Sequence, residues 1–460
     1  MSAAFTTLES MVNEPPADDV LAITDSMSDG QDSLQFEEYF QDVNELNDSL
    51  VHDVADVDRC MEVTQVLGEM VSTVQNRVSE ASPTEARLVE LIGDMAVAGT
   101  DVNPEDVVPS MEAYADGMDT MKKVKENIAK MWAWVKQLIE KIIEKTKLFF
   151  KAAFKSSVAL DVRLRKLSEE ISKADSAKFK GGKIKLTARE AAAIAIGQSV
   201  PVSLDKLHAQ LGVLEVYKTY FFTAYHAYLV NRMTSLREAV DKFDLAHPDL
   251  TVKMLAERLK GVRFPEVPGL KNSQVVIMGQ HRIITENDAE RDRKTQAAAV
   301  SPGHYLEVSR KTVVELHRDA DHAEVKAAEL TVHNLGEIKA LVERTAKFIN
   351  GVEAFAQHPM RELEAHQADL TTALENLAKK LQAQAEKDQG VKAAEHAFSL
   401  ISNHVVSVAS WIDQPIRAFT AYAIREAAAV ELVAARAFKS GTTEAKPVKE
   451  GSQDYKPAGM

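Results

Sequence analysis

The chain has 460 residues, 45% of them hydrophobic, enough apolar material for about two or three cores of ordinary domain size and too much for wholesale disorder. Its single cysteine, Cys60, excludes an intramolecular disulfide and a thiolate zinc site, and fits synthesis in a reducing compartment. The overall charge of -14 hides a division: residues 1–120 carry 27 acidic side chains against Arg59, Arg77 and Arg87, net -24, whereas residues 121–190 carry 19 Lys and Arg against 8 Asp and Glu, net +11. The first lysine is Lys122. Such a split is expected of a shielding segment beside a region that meets polyanions or anionic surfaces.

The amino terminus has neither a basic n-region nor an apolar h-region, so no secretory signal is expected, and no window approaches a membrane-spanning apolar run. Residues 1–34, rich in Asp, Ser, Met and Pro without a sustained period, read as disordered. From Phe36 an apolar stripe at threes and fours predicts helix over 36–99, with Cys60 as a small buried side chain on it. Ser82-Pro83-Thr84-Glu85 interrupts this stretch as a stop and a capped restart. Residues 99–117, with Pro104, Pro109, Gly99 and Gly117, then read as an exposed linker at the charge boundary.

Met121 to Phe154 carries the clearest amphipathic pattern in the chain. Val124, Ile128, Met131, Val135, Leu138 and Ile142 alternate by four and three, and Trp132, Trp134, Phe149 and Phe150 widen the stripe. The lysines of this stretch, among them Lys122, Lys123, Lys130, Lys136, Lys141, Lys145, Lys147, Lys151 and Lys155, lie mostly on the other side and form a candidate polyanion contact. Leu160, Leu164, Leu167 and Ile171 extend the pattern to about residue 174. A bundle helix with a solvated face and a helix lying in a membrane interface are the two other uses of this pattern, although Glu126, Glu140 and Glu144 weaken attraction to anionic lipid.

Gly181-Gly182 ends that helix and KIKL offers a short strand; Thr187 and Glu190 then form a capping box for an alanine-rich helix ending by Gly197. Ser203 opens a long helix through Leu204, Leu207, Leu211, Leu214, Tyr217, Phe221, Tyr225 and Leu229 to about Phe243. Val275 to Met278 and Ile283-Ile284 around Gly279 predict one β-hairpin near 274–285. Everything beyond reads as helix punctuated by Pro302, Pro359 and Pro415 up to about Phe438, with a mobile tail over 440–460.

No convergent catalytic set is legible. Gly181-Gly182-Lys183 lacks the upstream glycine and following hydroxyl of a phosphate loop, and the densest histidine region, Glu315, His317, Asp319, Asp321, His322 and Glu324, reads as a solvated helix whose histidines point to different sides. The expectation is therefore a chain with no catalytic residue, no metal and no cofactor.

The acidic leader, Ser110-Met111-Glu112, the Trp- and Lys-bearing AKMWAWVKQLIEKIIEKTKLFFKAAF, then GGKIKLTAREAAAIAIGQSVP, VVIMGQHRIIT and a helical last third together resemble the internal head, or inner body, proteins of phiKZ-like giant tailed phages, over roughly residues 105–440. The resemblance implies a non-enzymatic structural protein packed in the capsid with DNA, and cleavage by a prohead protease after glutamate in a small-x-Glu context. Ser110-Met111-Glu112, followed by Ala113, matches that context inside the expected linker; Ser168-Glu169-Glu170, Ala188-Arg189-Glu190 and Ala429-Val430-Glu431 match it inside expected helices. The partners implied are the prohead protease, other head-interior proteins and packaged DNA, held without base specificity. The alternative is a peripheral membrane-binding protein using the 121–155 helix.

The expected organisation is mostly α, an elongated multi-helix bundle with one small β-hairpin insertion. It comprises an acidic propeptide-like segment (1–112), the basic helix (113–175), a helical domain with the hairpin (176–304), a C-terminal helical bundle (305–439) and the tail.

Overall fold

The computed structural model describes residues 120–271, 273–285, 301–309, 314–318, 325–357, 359–385 and 391–442. The leader with the helices expected in it, Cys60, the expected 99–117 linker and most of the tail lie outside the described residues.

Residues Thr120–Lys173 form one 54-residue helix, α1, about 80 Å long at 1.5 Å per residue. It contains neither proline nor glycine. Its apolar stripe is buried where described: Phe149, Phe150, Ala153, Leu160, Leu164, Leu167 and Ile171 all face the core. Beyond it, β1 (Gly182–Leu186) points Ile184 and Leu186 inward and Lys183 and Lys185 outward. The expected capping box at Thr187 is present, opening α2 (Ala188–Ile194).

The helix opened by Ser203 is continuous but changes winding. It runs as α3 (Leu204–Thr219), a π-helical turn (Tyr220–Tyr225) and α4 (His226–Asp241). After α5 (Pro248–Gly261) comes the expected hairpin, β2 (Gln274–Ile277) and β3 (His281–Thr285). Its turn places Gly279 at φ +73° and Gln280 at φ +62°, the left-handed region that tight hairpin turns favour.

The stretch after the hairpin departs from the all-helical expectation. Following α6 (Pro302–Ser309), β4 (Val314–Arg318) adds to β3 antiparallel, pairing Thr285 with Val314 and His281 with Arg318. β5 (Ala328–Val332) pairs with β1, Gly182 against Val332 and Leu186 against Ala328. The hairpin is thus part of a three-stranded sheet, and a second two-stranded sheet stands beside it. Alternation accompanies the pairing: Val314 is buried with His317 exposed, and Leu330 and Val332 are buried with Glu329 exposed. These strands also correct the histidine reading, since Glu315 and His317 sit on a strand, with Nε2 2.5 Å from the carboxylate.

The last third holds α7 (Leu335–Gln357), α8 (Pro359–Ala385), α9 (Val391–Trp411) and α10 (Ala418–Thr442). Pro302 and Pro359 begin helices, as expected of proline in a first turn. Pro415 does not separate two helices. It lies in a π-helical turn (Ile412–Arg417) that carries α9 into α10, wide enough to absorb a residue without the normal hydrogen-bond donor, and α10 continues through Thr442.

The mostly helical architecture holds, and one core joins its parts. α1 packs on α7 and α8 and along α9 and α10. The two π-helical turns meet inside, where Phe221 stacks on Phe419 at 4.6 Å and Tyr225 donates its hydroxyl to the carbonyl of Trp411. Phe222 stacks on Phe355 of α7 at 4.0 Å.

Candidate polyanion-facing surface

At 3.6 residues per turn, Lys147, Lys151, Lys155, Lys166 and Lys173 fall within about 100° of arc on α1. All five are exposed, opposite the buried stripe. Burial of Phe149, Leu160 and Leu164 fixes the rotation of the helix, so the lysine face points outward because the apolar face is held inward. Lys173 also lies in the last turn, where the helix dipole favours a cation.

Of the lysines expected to form the contact, Lys147, Lys151 and Lys155 are exposed in line. Lys136 is half-buried and lies 3.9 Å from Glu140, and Lys145 is half-buried and engaged with neighbouring groups. Lys122, Lys123, Lys130 and Lys141 belong to α1, but their side chains lie outside the described ones, as do Ser110, Met111, Glu112 and Ala113.

The surface continues past the lysines singled out from sequence. Arg165 and Lys166 extend it along α1, and Lys178, Lys180, Lys183, Lys185 and Arg189 carry it through the following loop and the outer face of β1. The signal was in the sequence, because the +11 count runs to residue 190. The amphipathic pattern drew attention to the first part of the helix only. Partial neutralisation comes from Glu329, which meets Lys183 at 3.1 Å, from Asp161, which meets Arg165 at 2.6 Å, from Asp175, which meets Lys178 at 3.7 Å, and from Glu169, which meets Lys173 at 4.0 Å.

The ends of this surface are tied to the C-terminal helix. Lys180 N–H donates to the carbonyl of Gly441, Phe179 packs against Gly441, and Arg436 reaches Glu190 at 2.6 Å. Arg436 and Thr187 hold the Glu190 carboxyl below its usual range against the opposing effect of burial. Among the described residues no group of three or more His, Cys, Asp and Glu side chains is placed to hold a metal ion, and no helix is long and apolar enough to cross a membrane.

The model of one protein family, the phiKZ-like phage internal head proteins, matches residues 31–430. The chain belongs to this family. The match covers the long basic helix, both sheets and the first half of the last helix, and reaches back through most of the acidic leader. It makes this an internal head protein, a structural component located inside the phage head. No curated protein and no solved structure matches the chain.

Proposed function

We propose that this internal head protein is non-enzymatic, is made as a precursor, is cut by the phage's prohead protease between Glu112 and Ala113, and lies in its mature form among packaged DNA and other head-interior proteins. The observation that carries this reading is the distribution of charge. Residues 1–112 hold 25 acidic and 3 basic side chains, so their removal takes away a net -22 and turns a chain of -14 into one of +8. The precursor repels phosphate and the product attracts it. Because surface charges are screened beyond about 8 Å at physiological salt, the leader masks the basic helix only while it stays near it, and cutting the chain ends that proximity.

Accessibility supports the choice of site. Within residues 1–119, Ser110-Met111-Glu112 is the one Ala/Gly/Ser-x-Glu triplet. Among the described residues such triplets occur at 168–170, 188–190, 327–329, 351–353, 373–375, 393–395 and 429–431, and each lies in a helix or leads into a strand. A protease needs backbone in an extended, open form, which a helix or a paired strand withholds. The membrane-surface alternative uses the 121–155 helix; near the end of that stretch Phe149, Phe150 and Ala153 are buried in the core.

The test is co-expression of the full chain with the phage's prohead protease. One boundary at 112/113, lost in Glu112→Gln, is the expected result. Processing of Glu112→Gln at the same place, or cutting of the wild type elsewhere, overturns the reading.

A further inference from the structure

From the row of exposed cations we infer that the outer face of α1 from Lys147 to Lys173, continued through the loop and β1 to Arg189, is a docking ridge for the sugar-phosphate backbone of double-stranded DNA. This rests on the reading of the mature chain as lying among packaged DNA, and it names the surface that makes the contact.

Residues 147–189 hold 12 Lys and Arg against 4 Asp and Glu, a net of +8. The whole chain from Ala113 onward also sums to +8, so everything outside this stretch is neutral in total. Eleven of the twelve cations are exposed; the twelfth, Arg163, turns inward to Glu431.

Lys151, Lys155, Lys166, Lys180, Lys185 and Arg189 make no ion pair among the described residues. Arg165, Lys173, Lys178 and Lys183 of the ridge meet Asp161, Glu169, Asp175 and Glu329, so the six stand among partly neutralised neighbours. Elsewhere Arg237, Lys242, Arg258, Lys260 and Lys379 are matched to carboxylates, and unpaired lysines such as Lys253, Lys271 and Lys380 lie on separate elements. Unmatched ammonium groups in a row cost self-repulsion that an external polyanion removes, with release of its condensed counterions.

Shape agrees with that partner. From Lys147 to Lys173 the helix rises about 39 Å, close to the roughly 34–36 Å of one turn of duplex DNA. Lysine side chains are point charges without base-reading geometry, so the contact is to phosphate and independent of sequence.

The test is cross-linking of protein to DNA in intact virions, followed by mass spectrometric mapping of nucleotide-bearing peptides. Two altered phages are compared with the wild type: one carries Lys151→Gln, Lys155→Gln and Lys166→Gln, the other Lys253→Gln, Lys271→Gln and Lys380→Gln, exposed lysines away from the ridge. Adducts concentrated in 147–189, reduced severalfold by the first set and unchanged by the second, are expected. Absence of adducts, adducts mainly elsewhere, or equal loss from both sets overturns the ridge. The same particles report the N-terminus of the packaged chain, so failure of the ridge is distinguishable from failure of the precursor reading.

Discussion

Arg163 on α1 and Glu431 on α10, 268 residues apart in sequence, meet with Nη2 2.8 Å from Oε2. Their side chains are 17% and 6% exposed, so this pair is largely dry and locks the basic helix to the C-terminal helix. Arg163→Ala leaves the carboxylate buried without its nearest cation, and a loss of about 3 kcal/mol is expected at pH 7 by chemical denaturation. Replacing both by apolar residues of similar size is expected to cost far less, which a double-mutant cycle measures.

The pH dependence of stability follows from three carboxyls at the helix interfaces. Burial raises the pKa of Glu353, of Glu364 and of Glu431; Asp161 adds to the first, while Arg165, Lys147 with Arg361, and Arg163 respectively oppose the shifts. A carboxyl with a folded-state pKa above its unfolded value binds its proton more readily in the folded state. Its contribution is therefore complete below the unfolded value and is lost as pH rises through the folded one. Denaturation midpoints are expected to rise as pH falls from 7 toward about 5. Glu364→Gln is expected to flatten that rise. Nearer pH 4 the trend reverses, because Glu190, Glu238, Asp244 and Glu375 have lowered values set by hydrogen bonds and neighbouring cations, which more than offset burial at Glu190, and their contributions are lost as they protonate.

The hairpin is latched to α10 at one point. Tyr422 donates its hydroxyl to the carbonyl of Met278 at 2.9 Å, Arg425 contacts His281, and a Cβ at Gly279 would collide with the Glu426 carboxylate. Gly279 also requires a positive φ. Tyr422→Phe leaves a buried carbonyl unsatisfied and is expected to cost about 1–3 kcal/mol. Gly279→Ala adds left-handed strain to a steric clash and is expected to cost more than Tyr422→Phe in the same assay.

At α2 the capping box predicts a smaller effect. Thr187 Oγ1 accepts from Glu190 N–H, and the Glu190 carboxylate accepts from Thr187 N–H at 2.8 Å. Thr187→Ala is expected to cost about 1 kcal/mol, whereas Thr187→Ser is expected to be near neutral.

Much of this architecture was legible because local chemistry and burial agree. Thr187 with Glu190, Ser203 as a cap, Gly279 in the hairpin turn and the stripe ending at Ile171 each act through neighbours close in sequence. What escaped depends on distant partners. Val314 to Arg318 became a strand because β3 offered an open edge, and Ala328 to Val332 because β1 did. Pro415 passed for a helix boundary because nothing local signals a π-helical turn, which the packing of Phe419 on Phe221 stabilises from the other side of the core. For the surface, charge counting found the basic region. Lys151 and Lys166 could be distinguished from paired lysines such as Lys260 only once carboxylates from elsewhere in the chain were placed.

The central claim is that an acidic leader is removed to leave a chain that attracts phosphate. The most direct measurement is the intact mass and N-terminal peptide of this protein from purified virions, set against the freshly translated chain. A mature start at Ala113, with no leader peptides in the particle-derived chain, is the predicted result. A full-length chain in particles, still carrying its 27 acidic side chains ahead of residue 121, would contradict it.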